Sequence, residues 1–179
     1  MAVMALCVTP AGGAEAGELA AVAAATFPLA CPASAAAEDI AEFVRTHLSA
    51  GRFAEYLTDP DRIVFVAQDG GRIVGYAMLI RGIGADPDVA RAVPQRPAVE
   101  LSKMYVLPSH HRSGAAAALL QSGIDWSVAG GATAVWLGVN KHNIRAQRFY
   151  RRHGFEVTGS RTFRLGAGTE ADFVMVHRL

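Results

Sequence analysis

Residues 110 to 120, HHRSGAAAALL, place basic and small side chains at the opening of a run of strong helix formers. The first turn of a helix leaves backbone N–H groups without acceptors inside the helix. Gly114, Ala115 and Ala116 carry no bulk that would hold an anion off those donors, and the positive end of the helix dipole adds to the attraction. The ligand that suits such a cradle is a diphosphate, with His111 and Arg112 able to add charge-assisted contacts beside Ser113. Small residues also begin ordinary helices. The later glycines of a Rossmann dinucleotide loop and the lysine of a Walker A loop are both missing here, so neither nucleotide motif is matched.

A second constellation lies downstream. LGVNKHNIRAQRFYRRHGF, residues 137 to 155, sets Asn143, Ala146 and Tyr150 at offsets of three and seven, so one helical face presents an amide, a small residue and a phenol. A face that served only the core would have no use for Asn143.

With both segments in view, the chain resembles the GNAT superfamily of acyl-CoA N-acyltransferases. HRSGAA, His111 to Ala116, is similar to that family's Q/R-x-x-G-x-G/A loop, which binds the diphosphate of coenzyme A; His111 and Arg112 depart from its usual residues. The run from Asn143 to Phe155 follows the family's N-x-x-A-x-x-F-Y-x-x-x-G-F without a gap. The resemblance covers roughly the last two thirds of the chain and implies acetyl-CoA as co-substrate, with no metal. It further implies a cofactor site of Met104, Tyr105, Val106, His111, Arg112, Ser113, Gly114, Ala115, Ala116, Asn143, Ala146 and Phe149. The pantetheine arm would lie along Met104 to Val106 like an added strand, and a backbone N–H near Tyr105 would face the developing oxyanion.

The resemblance also assigns the proton transfers. Glu100 would take the proton of the attacking amine, and Tyr150 would give one to the departing thiolate. Each has a plainer alternative, Glu100 as an exposed carboxylate beside Lys103 and Tyr150 as a core aromatic beside Phe149. The ending TFRLG followed by Asp172, together with ELSKMYV, is similar to bacterial polyamine (spermidine and spermine type) N-acetyltransferases. A polyamine would need carboxylates, available at Glu38, Asp39, Glu42, Glu55, Asp59, Asp61, Glu100 and Asp172. The rival reading is a non-catalytic acyl-CoA-binding module, and a further alternative is acetylation of protein or peptide amines. Dimers are common in look-alikes, which implies a homodimer paired through the last strands.

These residues need elements to carry them. MALCVTP, residues 4 to 10, opens as a strand, and Ala-rich helices run from Glu15 to Thr26 and from Ser34 to Ser49, interrupted by Pro28 and Pro32, with Ser34 as N-cap. RIVFVAQ and RIVGYAMLI form a hairpin across Asp69, Gly70 and Gly71. Residues 82 to 98 form a loop with one helical turn. A strand from Val99 to Val106 leads into a helix from about Ser113 to Ala129, whose buried stripe is Leu120, Ile124 and Val128. TAVWLGV, a short helix ended by Gly154, and the pair FEVTGSRTF and ADFVMVHRL complete the chain. The expected fold is α/β (α+β): a GNAT-like mixed, mostly antiparallel sheet of about seven strands flanked by helices, in one domain over residues 1–179.

Bulk properties narrow the partners. Seventeen basic against sixteen acidic residues leave a net charge of +1, and aromatics make up 8%, which argues against nucleic acid. LAC at Leu29 to Cys31 hints at a lipidated leader, but no Lys or Arg precedes Arg45, Glu15 and Glu18 interrupt the apolar run, and Pro28 sits where an aliphatic residue is needed. A cytoplasmic protein with no membrane partner, free thiols at Cys7 and Cys31 and a small-molecule amine acceptor is expected. The six histidines form no metal-ligand spacing, and Trp126 and Trp136 read as packing residues.

Overall fold

Seven strands form one sheet in this computed structural model, which describes residues 6–179; Met4 and Ala5 of the expected first strand lie outside the described residues. The strands are β1 (Cys7–Pro10), β2 (Arg62–Asp69), β3 (Arg72–Arg81), β4 (Ala98–Val106), β5 (Ala134–Asn140), β6 (Glu156–Leu165) and β7 (Gly168–Arg178). The helices are α1 (Ala16–Ala30), α2 (Ala37–His47), α3 (Ala50–Thr58), α4 (Pro87–Ala92), α5 (Ala115–Ala129) and α6 (Ile144–Arg152). The sheet order is β1-β2-β3-β4-β5-β7-β6. All neighbours are antiparallel except β4 and β5, as the expected mixed, mostly antiparallel sheet requires.

Each element follows from local chemistry, with corrections to the sequence reading. The β2–β3 hairpin turns through Gly70 and Gly71, both at positive φ, a conformation that costs glycine little. Pro28 does not interrupt α1, which continues to Ala30. Ser34 is not an N-cap: α2 begins after Ala36, and the Ser34 hydroxyl donates to Glu170 instead, at 3.5 Å. Ser49 does not lie in the second helix but caps a further one, α3, accepting from the Arg52 N–H. α4 supplies the helical turn expected within residues 82–98, capped by Asp86.

α5 and α6 cover one face of the sheet and the other helices cover the opposite face. On the α5 face, Leu119 and Leu120 pack with Val99, Leu101, Val135 and Leu137. Opposite, Leu19, Phe27 and Phe53 pack on Val64, Val66, Tyr76 and Met78, and α4 closes over Trp136, Val174 and Val176. The buried stripe of α5 is Ala115, Leu119, Leu120, Gly123 and Ser127; Ile124 is half-buried and Val128 is 55% exposed. The large apolar residues mislead here because α5 lies so close to β3 that a Cβ on Gly123 would stand 2.9 Å from both terminal carbons of Leu79. Only small residues fit that contact. Among the described residues no helix is long and apolar enough to cross a membrane.

Candidate active site

The parallel pairing of β4 with β5 is short. It joins Ala98, Val99 and Glu100 to Ala134, Val135 and Trp136, and ends there. On the other side of β4, Leu79 pairs with Leu101 and Met78 with Lys103, leaving Ser102 as the extra residue of a β-bulge. A bulge bends its strand and sharpens the local twist, so β4 turns away from β5 directly after Glu100. The strands diverge, and the β4 edge facing the gap loses its strand partner. Such an edge accepts an extended ligand through backbone hydrogen bonds.

A cavity of about 430 Å³ occupies this wedge, walled by β4 from Leu101 to Val106 and by β5 from Leu137 to Asn140. Among the residues expected at the site, Met104, Tyr105, Val106, His111, Ala116, Asn143, Ala146, Phe149 and Tyr150 all line it. Arg112, Ser113 and Gly114 of the adjoining loop and Ala115 at the start of α5 stand outside its wall, and Glu100 is also outside it.

The loop has the geometry of an anion nest. Arg112 at φ 70° and Gly114 at φ 89° both occupy the left-handed region, which turns neighbouring amides the same way. Among the described residues the N–H groups of Arg112, Gly114, Ala116 and Ala117 meet no acceptor. Two expectations need correction. The helix begins at Ala115 rather than Ser113, and Ser113 Oγ accepts from the Ala115 N–H at 3.2 Å, removing that donor from the cradle. His111 borders the cavity while its Nε2–H donates to the Val106 carbonyl at 3.0 Å, which fixes the strand-to-loop corner.

Asn143 has two tasks. Its Oδ1 accepts from the Ala146 N–H at 3.1 Å and so caps α6, while the residue still borders the cavity. Buried Gln147 donates to the carbonyls of Asn140 at 3.1 Å and Lys141 at 2.9 Å, which ties α6 to the end of β5. This fastening presents Tyr150 to the cavity, its ring edge-on to Phe149 and Phe155 at 5.4 and 5.6 Å. The Tyr150 hydroxyl makes no hydrogen bond among the described residues, and burial holds its pKa well above the usual phenol range. It therefore remains protonated at neutral pH.

Glu100 is not an exposed edge carboxylate. Its side chain is 21% exposed, and burial raises its pKa against the pull of Arg161 and Lys103. Arg161, which sequence reasoning missed, organises the neighbourhood. Its Nε donates to Asp172 Oδ2 at 3.4 Å and its Nη1 stands 3.9 Å from Glu100 Oε1. The guanidinium fits because Gly138 carries no side chain: a Cβ there would stand 2.3 Å from Nη2. Asp172 is more buried still, and burial raises its pKa despite Arg161. Of the eight carboxylates expected for a cationic acceptor, Asp172 alone lines the cavity; Glu170, not among them, lines it too. Cys31 also borders the space, its thiol pushed up to about 11 by burial. Among the described residues no three His, Cys, Asp or Glu side chains converge to hold a metal.

Comparison with known proteins fits this geometry. Residues 31–155 match the acetyltransferase (GNAT) family. A Mycobacterium tuberculosis protein named only as an uncharacterized N-acetyltransferase is 56% identical over 165 residues, covering 92% of this chain and 98% of its own. An uncharacterized N-acetyltransferase of Lactobacillus delbrueckii subsp. lactis is 25% identical over 143 residues, 77% of each chain. Among solved structures, the PaiA N-acetyltransferase of Thermoplasma acidophilum in complex with coenzyme A superposes with a TM-score of 0.77 at 17% identity, covering 98% of this chain and 100% of that one. The GCN5-related N-acetyltransferase from Rhodopseudomonas palustris gives 0.73 at 17% identity, covering 100% and 99%. The chain belongs to the GNAT family of acetyltransferases, enzymes that draw their acetyl group from acetyl-CoA.

Proposed function

We propose that residues 1–179 form one N-acetyltransferase domain that transfers the acetyl group of acetyl-CoA to a primary amine of a small molecule, by direct attack in a ternary complex. One observation carries this reading: the released edge of β4 and the Tyr150 phenol share a single cavity, beside a loop of which four amides lack acceptors among the described residues. The N–H groups of Arg112, Gly114, Ala116 and Ala117 would hold the diphosphate, and Met104 to Val106 the pantetheine arm. The bound donor supplies the activated thioester carbonyl.

The protein's own residues manage the protons. An alkyl amine has a pKa of about 10.4, so at pH 7 roughly one molecule in a few thousand is able to attack. Glu100 suits the role of base because burial raises its proton affinity above that of an exposed carboxylate. It stands behind Arg161 rather than in the wall, so the proton reaches it through water. As the C–N bond forms and the C–S bond breaks, one proton leaves nitrogen for Glu100 and another passes from the Tyr150 hydroxyl to sulfur.

A polyamine acceptor is the second reading. Glu170 and Asp172 favour it, but Lys103, Arg145 and Arg161 outnumber them in the wall, and Arg161 already occupies Asp172. A homodimer belongs to the same proposal, supported by β6 at the end of the sheet with its outer edge unpaired among the described residues. So does a cytoplasmic setting, supported by the unpaired thiols of Cys7 and Cys31.

Steady-state assays across an amine panel, with coenzyme A titration calorimetry, test the activity. Turnover of small amines is expected, and turnover confined to peptide amino termini would reject the acceptor class. Tyr150→Phe should lower kcat about a hundredfold or more with unchanged heat of coenzyme A binding. A non-catalytic binding module would show no turnover to lose, and absence of coenzyme A binding would overturn the whole reading.

A further inference from the structure

Three cationic side chains, Lys103, Arg145 and Arg161, line the cavity. Arg161 is engaged by Asp172 and Glu100. Arg145 is exposed in the first turn of α6, next to Asn143 and Ala146. Lys103 is different. It is only partly exposed, it forms no side-chain hydrogen bond or ion pair among the described residues, and it borders the cavity. Withdrawing an ammonium from water without a partner is unfavourable, and buried charges are normally paired.

The face on which Lys103 lies identifies its task. Met104 and Val106 pack with α5, on the side of the loop at Gly114. Lys103 and Tyr105 face the other way. Tyr105 meets Phe27 of α1 at 6.3 Å, and the charge of Lys103 bears on His47 at the end of α2 and is itself influenced by Arg62 and Glu100. Lys103 thus belongs to the Glu100 side of β4 and not to the diphosphate cradle.

We propose that the acetyl acceptor is an amine that also carries a carboxylate, and that Lys103 holds that carboxylate while the amine reacts. This rests on the N-acetyltransferase reading above. Lys103 and Glu100 are three positions apart on one strand, a rise of at most about 10 Å. An acceptor whose amine lies near Glu100 and whose carboxylate meets Lys103 is therefore a short amino acid, with few carbons between its two groups. Such a molecule brings a negative end to a wall in which Asp172 is already held by Arg161 and Lys103 has no partner among the described residues, and so suits it better than a polycation would.

The test compares matched acceptors: amino acids from glycine to 6-aminohexanoate, the alkylamines of equal length, and the corresponding diamines. The carboxylated members should exceed their alkylamine partners in kcat/KM by at least about tenfold, the value of one charge-assisted hydrogen bond. Lys103→Gln should bring that ratio to within about twofold of unity, through a higher KM for the carboxylated member, and Lys103→Arg should preserve it. A preference for diamines, or a Lys103→Gln variant that loses amine and amino acid turnover equally, would overturn the proposal. Calorimetry on the coenzyme A complex supplies a readout independent of turnover: the N-acetylated acids should bind and their uncharged alkyl acetamide analogues should not, with the difference lost in Lys103→Gln. Equal binding of the two, or binding of neither, sinks the carboxylate assignment. Absence of coenzyme A binding sinks the underlying function, so the two failures are distinguishable.

Discussion

Gly138→Ala isolates what Arg161 does for the carboxylates around it. An added Cβ would stand 2.3 Å from Nη2, 2.5 Å from Cζ and 2.6 Å from Nε of Arg161. The guanidinium must retreat by about 1 Å to reach ordinary van der Waals separation. It is the movable end of a long side chain, so the β5–β7 and β6–β7 pairings survive and the cost falls on the 3.4 Å bond to Asp172. A hydrogen bond to a charged group contributes about 1.5–3 kcal/mol at ordinary length, and this one is long, so its loss costs about 1–2 kcal/mol where Asp172 is ionised. Burial already raises the Asp172 pKa against the pull of Arg161, and removing that pull raises it further. A carboxyl whose folded pKa is raised gives full stability below its unfolded pKa and loses it as pH rises through the folded value. The deficit of the variant therefore grows from acid to alkaline pH. Thermal melts between about pH 4 and pH 9 should show a Tm about 2–8 °C below the parent at the alkaline end, with the gap closing toward acid. The acid limb of kcat/KM should move to higher pH in the same variant, because Glu100 loses the same neighbour. A constant Tm offset at every pH together with an unmoved acid limb would refute the electrostatic role assigned to Arg161.

Two further substitutions probe the strand and the base. In Gly75→Ala the new Cβ would meet the Tyr105 carbonyl oxygen and Val106 Cγ2 at 2.9 Å each; backbone cannot rotate aside as a guanidinium can. β4 must shift where the pantetheine arm is proposed to lie, so coenzyme A affinity by calorimetry should fall about tenfold, with a stability loss of about 1–3 kcal/mol in denaturant melts. For Glu100→Gln, kcat/KM near neutral pH should fall about a hundredfold. Because burial raises the Glu100 pKa, parent activity should rise with pH through a value above the ordinary glutamate range, and the variant should lack that limb. If Asp172→Asn removes the limb instead, the base is Asp172.

Much of the site was legible because its residues are close together in the chain. The small residues from Gly114 to Ala116 and the Asn143, Ala146, Tyr150 face each lie within one helix start or one helix, where spacing alone sets relative position. The sheet was legible for a related reason, since its hairpins carry their own turn residues at Gly70 and Gly71. Misreadings fell where another element decides. The α5 stripe followed close approach to β3 rather than side-chain size, and Glu100 lies buried beside Arg161 rather than on an exposed edge. Ser49 and the Phe53, Tyr56, Leu57 pattern did signal α3, but the preceding Ala-rich run masked the boundary.

The sequence by itself determined that small residues open α5, that α6 presents an amide and a phenol on one face, and that strands and helices alternate into a mixed sheet, because each of these depends on neighbours a few residues apart. Only the tertiary structure decided that β4 leaves β5 after Glu100, that Arg161 from β6 lies over Gly138 between Glu100 and Asp172, and that Lys103 borders the cavity without a partner among the described residues. These facts depend on a single bulge residue and on charges brought together across strands far apart in the chain. Burial, which changes the proton affinity of Glu100 and Lys103, belongs to the packed molecule and to no local pattern of residues.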